Sequence, residues 1–280
     1  MRTPRSPARQ PASPPRGHVL LRAVSGDPPL DAYVYLPRTL APQAQVVAIV
    51  HGISELPRQH VECFAPLAER RGVVLVAPHF SRPHFRDYQR LGRGGRGARA
   101  DQALERLVEE VARENRARAG RIFLFGYSGG GQFVHRYAMG HPQRVAAAVV
   151  ASAGWYTFPD AERFYPRGIR DRGDLAGAHF EPDAFLRVPL LVTVGARDVE
   201  RDASLRQSAA LDREQGRNRV ERAERWVEAM QTAARQHGLP PAVGLHRLEG
   251  VGHSFEDNAE RGALAGIAFE HFFGQRREGV

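Results

Sequence analysis

Gly126-Tyr127-Ser128-Gly129-Gly130 stands between a short apolar run, Arg121-Ile122-Phe123-Leu124-Phe125, and a segment of helical character at 132–139. The pentapeptide has the pattern G-x-S-x-G. Between a strand and a helix, that pattern predicts a tight, strained turn that raises the serine hydroxyl above the end of a sheet. Glycines flank the serine because side chains there would meet the neighbouring strand and helix. Ser128 is therefore the candidate nucleophile. The competing reading is a Gly-rich turn carrying a solvated serine.

Working outward, apolar runs alternate with helical segments. Strands are expected at 18–24 and 31–36, joined by the turn residues of 26–29 into an opening antiparallel hairpin. Further strands are expected at 46–50, 73–77, 122–125, 145–151, 188–194 and 243–248. Helices are expected at 61–71, 101–118, 220–237 and 256–273, with Asp101 as an N-cap. Residues 155–187 show no clear period and predict a loop or small cap. Strands alternating with helices imply an α/β fold, a mostly parallel sheet with helices on both faces. The expected organisation is a disordered Pro- and Arg-rich tail at 1–16 and one domain over 17–280.

A serine hydroxyl needs a base, an orienting acid and donors for the oxyanion. Asp198 follows the strand at 188–194 and is placed to orient a histidine; Glu200 and Asp202 are nearby competitors. His253, in Gly250-Val251-Gly252-His253-Ser254, follows the strand at 243–248 and is the expected base. The chain order serine, acid, histidine is one of three known for this constellation. His51-Gly52-Ile53 follows the strand at 46–50, so the backbone N–H of Ile53 can point at a developing oxyanion. Gly129, next after the serine, supplies the second N–H. His51 is expected to order its loop rather than to take part in chemistry.

With His51-Gly52, the Gly126–Gly130 pentapeptide, Asp198 and His253 in place, the chain resembles the α/β-hydrolase superfamily over residues 17–280. It looks most like bacterial esterases of the polyhydroxybutyrate-depolymerase and feruloyl-esterase type. The resemblance implies hydrolysis of a carboxylic ester through an acyl-serine. No metal and no cofactor are expected, since there is no H-E-x-x-H and no G-x-G-x-x-G after a strand. A peptidase or amidase, an acyltransferase, and a non-catalytic ligand-binding protein stay open as alternatives.

Composition sets the outer limits. The chain has 280 residues, 42% hydrophobic and 25% charged, as in ordinary globular proteins. No apolar run approaches the ~20 residues of a membrane helix. The N-terminal stretch lacks an apolar core, so a secretory signal is not expected and a cytoplasmic location is. One cysteine, Cys63, allows no intrachain disulfide. The net charge is +9, and all 40 basic residues are arginine. They are scattered apart from 86–99, so a nucleic-acid partner is not expected. The absence of lysine excludes phosphate loops of the Walker type and lysine Schiff bases.

Trp155 and Tyr156 begin the 155–187 excursion and are candidates for a substrate pocket, or else packing for the cap. The arginine-rich loop at 82–99 would favour a carboxylate- or phosphate-bearing substrate if it borders the site, and is otherwise a solvated loop.

Overall fold

A computed structural model describes residues 15–170, 173 and 175–274. The expected tail at 1–16 therefore lies, but for its last two residues, outside the described residues. The strands are β1 (Val19–Val24), β2 (Leu30–Tyr35), β3 (Val46–Val50), β4 (Val74–Pro78), β5 (Ile122–Tyr127), β6 (Val145–Ala151), β7 (Leu190–Gly195) and β8 (Val243–Leu248). They form one sheet in the order β1-β2-β4-β3-β5-β6-β7-β8. β1 and β2 pair antiparallel, as do β2 and β4; every other pair is parallel. The opening hairpin and the mostly parallel sheet are as the sequence implies.

The helices are α1 (Pro57–Arg71), α2 (Ala100–Asn115), α3 (Gly129–Gly140), α4 (Pro182–Phe185), α5 (Ala209–Gln215), α6 (Arg219–Gln236), α7 (Phe255–Glu260) and α8 (Leu264–Phe273). Both sheet faces are covered because successive strand residues point to opposite sides. Val46, Ala48 and Val50 join Leu104, Phe133 and Trp226 on the α2, α3 and α6 face. Val47 and Ile49 join Phe64, Phe269 and Phe272 on the α1 and α8 face. No described helix is long and apolar enough to cross a membrane.

Several local expectations change. The closing helix is two helices, because Ala263 takes a left-handed φ of 49° between them. The helix expected at 101–118 stops at Asn115, where Arg116 adopts φ 54°. Asp101 is not its N-cap: its buried carboxylate receives Arg99 and pairs with His141. The excursion at 155–187 carries only α4 among its described residues. α5 is not evident in the sequence, since its short run lacks a clear apolar stripe.

The strand order runs outward in opposite directions from the junction of β3 with β5. β4 lies to one side of that pair and β6 to the other. Loops leaving the C-terminal ends of β3 and β5 diverge there, and such a reversal opens a crevice at the sheet edge.

Candidate active site

Ser128 occupies the turn between β5 and α3 with φ 52° and ψ −109°, a conformation costly for any residue with a side chain. The turn is possible because its glycines let backbones touch. A Cβ on Gly130 would sit 2.0 Å from the Val50 carbonyl oxygen, and one on Gly126 would sit 2.2 Å from that of Gly130. α3 therefore starts directly against β3. The Ser128 N–H donates to the Ala151 carbonyl at 2.8 Å, which ties the turn to the end of β6.

The turn after β7 delivers Asp198 and the loop after β8 delivers His253. Nε2 of His253 lies 3.1 Å from the Ser128 Oγ. Its Nδ1 lies 2.7 Å from the Asp198 Oδ2. A carboxylate beside Nδ1 makes that nitrogen the donor and leaves Nε2 to accept from the hydroxyl. The histidine loop is pinned by Asn258, whose amide donates to the carbonyls of Gly252 and Ser254. Tyr127 stacks on the imidazole at 5.6 Å.

One partner of the site is not evident from the sequence. Arg219, the first residue of α6, is 1% exposed and places Nη1 3.2 Å from Asp198 Oδ1. The same guanidinium reaches Asp202 at 3.2 Å and the Ser204 hydroxyl at 2.6 Å. Burial would raise the Asp202 carboxyl, but Ser204 and Arg219 outweigh it and hold the group well below the usual range. Asp202 is thus joined to the acid of the site through Arg219.

His51 holds the loop after β3. Its Nε2 accepts from the Phe80 N–H at 3.0 Å, and its Nδ1 donates to the Gly52 carbonyl at 2.7 Å. Burial pushes its pKa down to about 4, so the ring is neutral. Ile53 and Gly129 face one another: a Cβ on Gly129 would lie 3.2 Å from Ile53 Cγ2.

A cleft of about 210 Å³ opens at Ser128 and His253, walled by Ile53, Leu56, Gln59, His60, Ser204 and Phe255. Gln59 donates to Glu256 at 2.8 Å, which bridges α1 and α7 at the cleft. His60 stacks on Phe255 at 3.8 Å, and burial pushes its pKa down to about 3. Among the described residues, no three His, Cys, Asp or Glu side chains gather as metal ligands.

Trp155 and Tyr156 are not among the residues lining this cleft. Tyr156 is fully buried with its ring stacked on Trp226 at 4.9 Å. Trp155 is 5% exposed beneath the guanidinium of Arg136, 4.2 Å from its ring centroid. Their segment is held by side chains instead of a strand. Gln215 accepts from the Tyr156 N–H and donates to its carbonyl, both at 2.8 Å. The Thr157 N–H donates to His135 at 3.0 Å, and Trp226 donates to the Thr157 carbonyl at 2.7 Å. Arg222 donates to the Gly154 carbonyl at 2.6 Å.

No family model matches the chain. A bifunctional acetylxylan esterase/xylanase of Neocallimastix patriciarum is 26% identical over 134 residues, 44% of this chain and 18% of that relative. The match thus spans under a fifth of that relative's length. Among solved structures, poly(aspartic acid) hydrolase-1 from Sphingomonas sp. KT-1 superposes with a TM-score of 0.78 at 22% identity, covering 91% of this chain and all of that one. A poly(3-hydroxybutyrate) depolymerase from Bordetella parapertussis superposes with a TM-score of 0.75 at 28% identity, covering 92% of each chain.

Proposed function

We propose that this chain, an α/β-hydrolase by fold, is a serine hydrolase that cleaves a carboxylic ester through an acyl-serine intermediate. The observation that carries this reading is the unbroken relay Ser128–His253–Asp198, with hydrogen bonds of 3.1 and 2.7 Å at one cleft. Similarity to a depolymerase of a polyester and to an acetylxylan esterase supports an ester as the bond attacked.

In this reading Ser128 Oγ forms a bond to the substrate carbonyl carbon as its proton passes to His253 Nε2. Asp198 keeps the other imidazole nitrogen protonated and stabilises the imidazolium. The carbonyl oxygen becomes an oxyanion held by the N–H groups of Ile53 and Gly129; each such donor contributes ~3 kcal/mol to the transition state. The carbon–oxygen bond to the alcohol breaks, and the alcohol leaves with the proton from His253. Water then attacks the acyl-serine, again giving a proton to His253, and the acid departs as Ser128 regains its hydrogen.

The test is turnover of 4-nitrophenyl acetate and labelling by a fluorophosphonate. The wild-type chain should do both and Ser128→Ala neither, with unchanged circular dichroism. Equal turnover by Ser128→Ala would overturn the assignment.

A further inference from the structure

The arginine-rich loop at 82–99 adjoins the cleft through Ile53, whose carbonyl accepts from Arg82 at 3.4 Å. Ile53 forms a wall of the cleft and also of a neighbouring recess of about 500 Å³ that holds Glu55, Arg82, Arg86 and Gln89. Pro83 and Arg86 are shared in turn with a third hollow of about 480 Å³, which adds Asp87, Arg90 and Arg96. The three hollows lie in a row along the surface, a trough of neighbouring recesses that starts at the cleft of the nucleophile. Gln89 marks the junction, its Nε2 lying 2.9 Å from where a Cβ on Gly129 would stand.

The trough is positive beyond what its own acids neutralise. Arg82 pairs with Glu55 at 3.1 Å. Arg90 and Arg93 share one carboxylate, the buried Asp87. Arg86 and Arg96 are exposed, and among the described residues neither has a carboxylate within 4.0 Å. The excess reaches a neighbouring arginine. Arg206 is pushed down by burial and then by Arg90, Arg167 and Arg93.

We propose that this trough binds a chain bearing carboxylates, so that the substrate carries acid groups beyond the bond that is cut. Guanidinium groups grip carboxylates through paired hydrogen bonds and draw anions in from solution. A nucleic acid fits less well. Single-stranded binders offer exposed aromatic faces for the bases, whereas Phe85 and Tyr88 are 1% and 6% exposed. The inference rests on Ser128 being the nucleophile, because the trough is defined by its position next to that cleft, across Ile53.

The experiment measures competition with 4-nitrophenyl acetate hydrolysis by an acrylate oligomer, an acrylamide oligomer of equal length and an oligothymidylate of equal charge. The acrylate oligomer should inhibit competitively at concentrations at least tenfold below either of the others. The double variant Arg86→Glu with Arg96→Glu should lose that difference, and so should the wild-type chain in 0.5 M salt. Equal inhibition by acrylate and acrylamide, equal inhibition by oligothymidylate, or an unchanged difference in the variant would each overturn the proposal. If 4-nitrophenyl acetate is not hydrolysed at all, the ester-hydrolase reading fails. Direct binding of a fluorescent acrylate oligomer, wild type against variant, then decides the trough separately.

Discussion

Arg219 and Asp198 form a buried ion pair at 3.2 Å, on the carboxylate oxygen that His253 leaves free. A cation in that position weakens the field that the carboxylate projects onto the imidazole. Without it the imidazolium is favoured, so the base is lost to protonation at higher pH. Arg219→Gln should therefore move the acid limb of the kcat/KM profile to higher pH. Arg219→Lys, which keeps the charge, should leave the limb in place and lower kcat through loss of the fork to Ser204. A limb that stays put in both variants would assign Arg219 a purely structural part. Breaking such a pair costs about 3 kcal/mol of stability, measurable by urea denaturation.

The fold should weaken in mild acid. His51, His60 and His135 are buried, and burial lowers the pKa of each, to about 4 for His51 and about 3 for His60. These rings are neutral when folded but take up protons when unfolded, below about pH 6.5. Their contribution is complete above that pH and falls as pH drops towards the folded values, by about 1.4 kcal/mol per pH unit for each ring. Denaturation midpoints between pH 7 and pH 5 should show this slope. His60→Phe should lessen it by about a third.

Gln215 satisfies both backbone groups of the fully buried Tyr156. Gln215→Ala would leave a buried donor and acceptor without partners, at a cost of about 3 kcal/mol. Thermal denaturation reads the loss directly. Gln215→Glu retains an acceptor but not the donor, so it should also be destabilised.

The turn at Ser128 should prefer glycine on stability alone. Its φ of 52° strains any side chain, so Ser128→Gly should be more stable than Ser128→Ala by about 1 kcal/mol. Gly130→Ala should fail to reach the native fold, since its Cβ would overlap the Val50 carbonyl at 2.0 Å. A soluble, cooperatively folding Gly130→Ala protein would contradict this packing.

Asp198 is legible in the sequence because it follows β7, a mostly buried strand that shows as a mostly apolar run, whereas His253 follows the half-exposed edge strand β8 and is legible from the glycine-flanked turn that carries it. Arg219 is not, because an arginine at the start of an amphipathic helix resembles its many exposed neighbours. Only the folded turn at 202–204 shows that it is inside. Trp155 and Tyr156 could be read as pocket or packing from their position alone. Trp226 and Gln215, on other helices, place Tyr156 in the core. The break at Ala263 has one signal in the sequence, the preceding Gly262, since alanine itself ordinarily continues a helix. The loop at 82–99 shows its charge in the sequence but not its neighbour, since contact with Ile53 depends on how two strand ends meet.

The segment 154–157 has a consequence for how such a protein can change. A strand's position is set by a repeating ladder that tolerates many side chains. This segment is set by Gln215, His135, Trp226 and Arg222 acting on particular backbone atoms. Losing one leaves the others holding a displaced chain. Among descendants of this fold the four should therefore be kept or replaced as a set, and a graft of 154–157 into another scaffold should succeed only when all four travel with it.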